Sequence, residues 1–295
     1  MLDYGSLAAI SAVVREGSFE RAARALNVTP SAISQRVKAL EERLGSVLIV
    51  RGQPCMPTEA GRLLCRHVEQ VELLEQEVRG ALPRLTSGRG QLTIRIAVNA
   101  DSLGTWFIGA MSEFLQADGV LLDVALDDQE HTQQWLRSGE VHAAVTSDVQ
   151  PLQGCNSVSL GKLSYCAVAS PAYVRRYFDA GVNSNTLARA PALVFNRKDR
   201  LQARWVRAVC RRNVDLPTHW LPSIQAFVDA SVAGIGWGMN PRALVAPQLS
   251  NGSLVELVPG RTLSVPLYWQ HSRLSIPTLA RLTESVIAAA RKRLD

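Results

Sequence analysis

The stretch from Thr29 to Gly45 constrains this chain most. Thr29 and Pro30 mark a helix start: a hydroxyl to cap free amides, then proline at the first helical position, where no N–H is needed. Ile33, Val37, Leu40 and Leu44 recur at i, i+4, i+7 and i+11 and so form one apolar stripe, and Gly45 ends the helix with a residue that tolerates left-handed backbone. The opposite face carries Ser31, Gln35, Lys38 and Glu42, flanked by Ser34 and Arg36. Upstream, Leu7, Ile10 and Val14 repeat at helical spacing until Gly17, and Ser18 caps a short helix with Phe19, Ala22, Ala23 and Leu26. Asn27-Val28 reads as the turn between them. Two short helices joined by a tight turn, the second with a polar outer face, predict a helix-turn-helix. Taken alone, the second helix fits an ordinary amphipathic helix with a solvated face just as well.

The residues that follow separate these readings. Val47 to Arg51 predicts a strand, Gly52-Gln53-Pro54 a turn and Met56-Pro57-Thr58 a short return. Together they form a hairpin wing, with Arg51 placed to touch phosphate or the minor groove. Beside a wing, the polar face acquires roles. Gln35 can read adenine bidentately, Ser31 and Ser34 are small enough for close approach, and Arg36 and Lys38 suit phosphates. Thr58-Glu59 then opens a long helix through about Leu82. Along it Leu64, Val68, Val71, Val78 and Leu82 follow four- and three-residue steps, with Glu75 at the one polar position. That seam predicts pairing with a second copy of the chain. Pro83 and Gly88-Arg89-Gly90 end the helix in a linker.

The runs Phe19-Glu20-Arg21-Ala22-Ala23-Arg24-Ala25-Leu26 and Thr29-Pro30-Ser31-Ala32-Ile33-Ser34, with Leu40-Glu41, Leu44-Gly45, Arg51 and Thr58-Glu59-Ala60-Gly61, resemble the winged helix-turn-helix of LysR-type transcriptional regulators. Leu48-Ile49 departs from the family's frequent Leu-Phe, a small apolar change. The resemblance implies double-stranded DNA as a partner, met by Ser18, Arg21, Thr29, Pro30, Ser31, Ser34, Gln35, Arg36, Lys38, Arg51, Pro54 and Thr58. It also implies a homodimer or homotetramer and contact with RNA polymerase. Net charge adds little: Lys+Arg 32 against Asp+Glu 26 leaves +6, which permits a polyanionic partner without demanding one.

Beyond Gln91 the pattern changes to alternating strands and helices. Leu92, Ile94, Ile96 and Val98 alternate as a strand, and Asn99-Ala100-Asp101-Ser102 caps a helix with Trp106, Phe107, Met111 and Phe114. A strand at Val120 to Leu126, a helix around Thr132 to Arg137 and a strand at Ala143 to Thr146 complete a series that predicts a parallel sheet. A second series starts near Tyr165-Cys166-Ala167-Val168 and continues through Ala192 to Phe195, His219 to Leu221 and Ile235 to Met239. The last helix, Ile276 to Arg293, returns to the first lobe. The fold class is therefore α/β: a winged helix-turn-helix (1–58), a dimerising linker helix and hinge (59–90), and a two-lobed effector domain (91–295). Lobe I covers about 91–162 and 268–295, and lobe II about 163–267.

Two α/β lobes joined by crossovers place a ligand cleft at strand ends. This half resembles the LysR-type effector domain, of periplasmic-binding-protein architecture. Within the family, Ala97-Val98-Asn99-Ala100-Asp101-Ser102 with Trp106, Phe195-Asn196-Arg197-Lys198-Asp199 and Leu267-Tyr268-Trp269 resemble the branch that controls basic amino-acid export in response to lysine or arginine. Such a ligand needs N–H donors for its carboxylate and acidic partners for its cations. Asp101, Ser102, Asp127, Asp128, Thr146, Ser223 and Gln225 are the candidate contacts. Asp101 and Ser102 also fit simple helix caps, and Asp127-Asp128 a solvated turn. Gln225 stands where the branch leads one to expect glutamate, so a less cationic effector is an alternative.

Other classes find less support. The 47% hydrophobic content excludes a disordered chain, and 295 residues suit two domains. No apolar run reaches the length of a membrane span, and the N-terminus carries no secretory pattern, so a cytoplasmic location and no membrane partner are expected. Five scattered cysteines suit a reducing compartment better than disulfides or zinc, and the histidines lack metal-ligand spacing. No cofactor or metal is implied. Gly234-Ile235-Gly236-Trp237-Gly238 lacks the dinucleotide spacing and reads as a turn, and no nucleophile elbow appears. A solute-binding protein would lack the first eighty-odd residues, and an enzyme on this scaffold would need a reactive group that the sequence does not supply.

Overall fold

A computed structural model of the protein describes residues 3–81, 93–117, 120–127, 135–137, 140–273 and 276–295. Contacts divide the chain into two compact units, one formed chiefly by residues 1–93, the other by 94–295 apart from the short segments 137–140 and 275–278.

In the first unit, helix α1 (Tyr4–Glu16) starts where the Asp3 carboxylate accepts the Gly5 and Ser6 amides. Helix α2 (Phe19–Ala25) starts at Ser18, and α3 (Pro30–Leu44) at Thr29, whose hydroxyl accepts the Ala32 amide at 3.2 Å. Gly45 closes α3 at φ 64, and Asn27 takes the left-handed φ of 52 in the α2–α3 turn. Leu7, Ile10, Val13, Ala22, Ala23, Ile33, Val37 and Leu40 form the core. Leu44 departs from the predicted stripe: it lies on the final turn, beyond the cover of the other helices, and is 44% exposed.

The wing pairs β1 (Ile49–Val50) with β2 (Met56–Pro57) antiparallel. Glu41 moors it, its carboxylate accepting the Leu48 and Ile49 amides at 2.8 and 3.3 Å. Helix α4 (Glu59–Ala81) follows. Thr58 joins wing to helix, its hydroxyl donating to the Val47 carbonyl at 2.8 Å and accepting the Gly61 amide at 3.1 Å. Gly61 itself is required by contact: a Cβ there would stand 2.1 Å from the Leu48 carbonyl oxygen.

The second unit is built on a seven-stranded sheet that includes β3 (Thr93–Asn99), β4 (Leu121–Asp127), β5 (Ala143–Thr146), β6 (Cys155–Ala169), β9 (Gly238–Pro241), β10 (Val255–Glu256) and β11 (Leu263–Ser272). Its order is β10-β6-β11-β5-β3-β4, with β9 also on β6, while β7 (Ala192–Val194) and β8 (Thr218–Trp220) form a separate parallel pair. The expectation of a parallel sheet is corrected here. β3 and β5 are parallel, but β11 runs antiparallel to both β5 and β6, so the sheet is mixed. Both β6 and β11 are long, and β6 begins at Cys155, well before the Tyr165 expected from the apolar run. Its first half alternates weakly because Asn156 and Ser159 face solvent. The β6–β11 register slips once, between Leu267 and Tyr268, beside Gly161.

After β3 come α5 (Ala100–Ser102), a π turn over Leu103–Phe107 and α6 (Ile108–Ala117). Helices α7 (Pro171–Tyr177), α8 (Ser184–Leu187), α9 (Leu201–Cys210), α10 (Ile224–Val232) and α11 (Arg242–Ser250) follow. The last helix, α12 (Pro277–Arg293), packs on β11 and α6: Thr283 accepts the Trp269 indole N–H at 3.0 Å, and Lys292 donates to Glu113 at 2.6 Å. Among the described residues, no helix is long and apolar enough to cross a membrane.

Candidate DNA interface and ligand cleft

The α3 outer face stands as its periodicity implied. Ser31, Gln35, Arg36 and Lys38 are exposed and Ser34 half-buried, with Lys38 paired to Glu42 at 3.6 Å across one turn. Arg51 leaves the wing and lays its guanidinium over the Phe19 ring, 5.1 Å from the centroid. A groove runs between Gly17–Arg21 and Arg51–Cys55, bringing Ser18, Arg21, Arg51 and Pro54 together. The hydroxyls of Ser18, Thr29 and Thr58 are engaged within the chain. Ser18 donates to Glu20 at 2.6 Å, Thr29 caps α3 and Thr58 bridges wing to α4. Thr58 thus has a structural role in the fold, its hydroxyl proton donated to the Val47 carbonyl.

The α4 seam divides into two halves. Val68 is buried and Leu64 packs against the same helix-turn-helix core, so these two serve their own unit. Leu63, Leu74 and Val78 are exposed, at 61%, 43% and 52%, and share the neighbouring face with Val71. Leu82 lies outside the described residues.

In the second unit a cleft opens at the ends of β3 and β9. Phe195, Leu201, Ile224, Phe227 and Met239 form its apolar wall, Asn99, Asp101, Asp199 and Asn240 its polar lining, and Lys198 and Arg200 carry cations at an exposed edge. Asp101 lies in the first turn after β3, and its carboxylate accepts the Tyr165 hydroxyl at 2.7 Å. Burial, with Asp199 nearby, pushes this carboxyl up to about 6, while the Tyr165 hydrogen bond pulls the other way. Tyr165 is driven well above the usual phenol range, by burial first and then by Asp101. Asp199 accepts the Phe195 and Leu201 amides at 3.2 and 2.9 Å, which fixes the loop ahead of α9. Both side-chain amide atoms of Asn99, the Asn240 nitrogen and the Ser102 hydroxyl are buried without a hydrogen-bond partner among the described residues. Such groups are costly in a folded chain unless a ligand or solvent meets them.

Several sequence-based candidates fall elsewhere. Asn99 makes no side-chain cap, so the expected capping motif does not form there. Ser102 is fully buried behind the lining. Thr146 is buried, its hydroxyl accepting the Asp148 amide at 3.1 Å. Ser223 caps α10 at 3.4 Å, and Gln225 is exposed and donates to Asp229 at 3.0 Å. Gln225 is not among the residues that line the cleft, though its neighbour Ile224 is. Asp127 ends β4 and is not among the residues lining the cleft, and Asp128 lies outside the described residues. Asn99, Tyr165 and Asn240 carry no local sign of a ligand contact, because nothing in the sequence distinguishes a polar strand residue aimed at a cleft from a solvated one.

A helix-turn-helix with a free polar recognition face, joined to a two-lobed α/β domain with a ligand cleft, defines a ligand-responsive DNA-binding regulator. Residues 5–62 match the bacterial regulatory helix-turn-helix proteins of the lysR family, and residues 87–291 match the LysR substrate binding domain. The chain belongs to the LysR family of transcription regulators. It is 42% identical to the HTH-type transcriptional regulator ArgP of Pseudomonas aeruginosa over 290 residues, which is 98% of this chain and 96% of that one. The crystal structure of ArgP from Mycobacterium tuberculosis superimposes with a TM-score of 0.87 at 44% identity, covering 100% of this chain and 99% of that one. Full-length LysG from Corynebacterium glutamicum with bound effector Arg gives 0.77 at 37% identity, covering 99% of each.

Proposed function

We propose that this chain is a cytoplasmic transcription regulator, not an enzyme, that senses a basic amino acid and controls a gene for its export or a related gene. The observation that carries the reading is a cleft with an apolar wall, two half-buried carboxylates, Asp101 and Asp199, and cations at its exposed edge. An alkyl stem with a zwitterionic head and a distal cation, as in lysine or arginine, complements all three features. The likeness to a LysG that holds arginine supports the same ligand class.

On this reading α3 enters the major groove with Gln35 toward the bases, and Arg36, Lys38 and Arg51 toward phosphates. The exposed face of Leu63, Val71, Leu74 and Val78 pairs two copies of α4. Effector in the cleft favours one arrangement of lobes and subunits, which changes the spacing of the paired DNA modules.

Two measurements test the proposal. A gel shift on the promoter region adjoining the gene should show salt-sensitive, sequence-preferring binding, and its absence would refute the regulator. A thermal-shift screen of free amino acids against the full chain should single out lysine or arginine. A response confined to an anionic metabolite would leave the family standing and remove this effector.

A further inference from the structure

Charge is placed unevenly along the cleft. Lys198 and Arg200 are exposed, whereas the Asp101 carboxyl is desolvated and held by the Tyr165 hydroxyl at 2.7 Å. The amides of Asn99 and Asn240, 1% and 2% exposed, have unpartnered atoms but no charge. An amino-acid head carries its own opposite charges and can be met by edge cations and neutral amides. A cation at the end of a side chain brings no counter-ion, and burying it requires one where the stem ends.

We propose that Asp101, positioned by Tyr165, selects the cationic side-chain end of the effector over a neutral side chain of the same length. This rests on the basic-amino-acid reading of the cleft given above. The groups acting on Asp101 are Tyr165 from β6 and Asp199 from the loop after β7, with Arg204 of α9 acting on Tyr165, while Lys198 and Arg200 line the same cleft. Without effector, burial and Asp199 favour the protonated carboxyl, which reaches half-ionisation at about pH 6. An arriving cation favours the carboxylate, so the acid gives its proton to solvent as the effector binds. Affinity for a cationic effector therefore falls by about tenfold per pH unit below this midpoint and levels off above it.

Titration calorimetry of the full chain with L-arginine and L-citrulline, in buffers of differing ionisation heat from pH 5 to 8, tests this. Wild type should prefer arginine by about 30-fold or more at pH 7.5 and release a proton on binding at low pH. Asp101→Asn should erase that preference by weakening arginine alone, and should abolish proton release. Tyr165→Phe, which keeps the ring in the core, should move the pH midpoint upward and reduce the preference without erasing it. Equal weakening of both ligands in Asp101→Asn would overturn the proposal, because the carboxylate would then hold the α-ammonium. Arginine binding without pH dependence or proton release would overturn it too. If wild type binds neither arginine nor lysine, the functional reading itself fails, an outcome distinct from arginine binding that ignores Asp101.

Discussion

Asp101 shows how one side chain ties stability to function. Its carboxyl is raised to about 6 in the fold, against an ordinary value of 3.8, so between these values the folded state holds more protons than the unfolded one. Stability contributed by this group is therefore present at pH 4 and lost as pH rises through about 6. Asp101→Asn should stabilise the effector-free protein at pH 7.5, on the order of 2 kcal/mol, with the gain vanishing toward pH 4 in denaturant titrations. On the DNA side, Gln35→Ala should relax sequence preference, whereas Arg51→Ala should weaken binding to all sequences, and competition binding with specific and random duplexes separates the two. Equal behaviour of the variants would refute that division of labour. The cysteines carry no comparable role. Burial pushes Cys65 to about 12 and Cys166 to about 11, away from thiolate reactivity. Cys155 and Cys166 share strand β6, roughly 35 Å apart at an extended rise, too far to pair.

At the scale of elements, the helix-turn-helix was legible because its signals are local. Ser18, Thr29-Pro30 and Gly45 act within one turn of themselves, and Ile33, Val37 and Leu40 need only helical geometry to share a face. The wing was legible as a hairpin, but its moorings were not. Glu41 meets the Leu48 and Ile49 amides only once α3 and β1 are in place. Gly61→Ala should cost about 2 kcal/mol or more in thermal unfolding of this unit, since its methyl would collide with the Leu48 carbonyl. An unchanged melting temperature would show that α4 and the wing can part without loss. For α4, periodicity found an apolar face but could not divide it between the core and a partner. Leu74→Asp with Val78→Asp should yield monomers by light scattering while leaving the helical signal intact, because both residues are exposed. Persistence of the dimer would place the pairing surface elsewhere.

For the whole molecule, separate cores imply separate responses. Leu7, Ile33 and Leu40 pack with Val68 in one cluster, while the buried clusters around Ala97, Cys166 and Leu193 belong to the other unit. Calorimetry should resolve two transitions, and L-arginine should raise only the one belonging to the unit with the cleft. A single transition shifted as a whole would contradict this. The sheet shows where sequence reasoning stops. Apolar runs located β3, β5 and the core of β6, but strand direction depends on pairing between residues such as Tyr268 and Thr146, which lie far apart in the chain. The cleft depends on the same long-range pairing, which brings Asn99, Asp101, Tyr165 and Asn240 together from three strands and the turn after one of them. By itself the sequence determined the reading helix, its wing and the family, because capping and amphipathic spacing act over a few residues. Only the tertiary structure decided which polar groups face the effector, because burial without a partner is a property of the assembled fold.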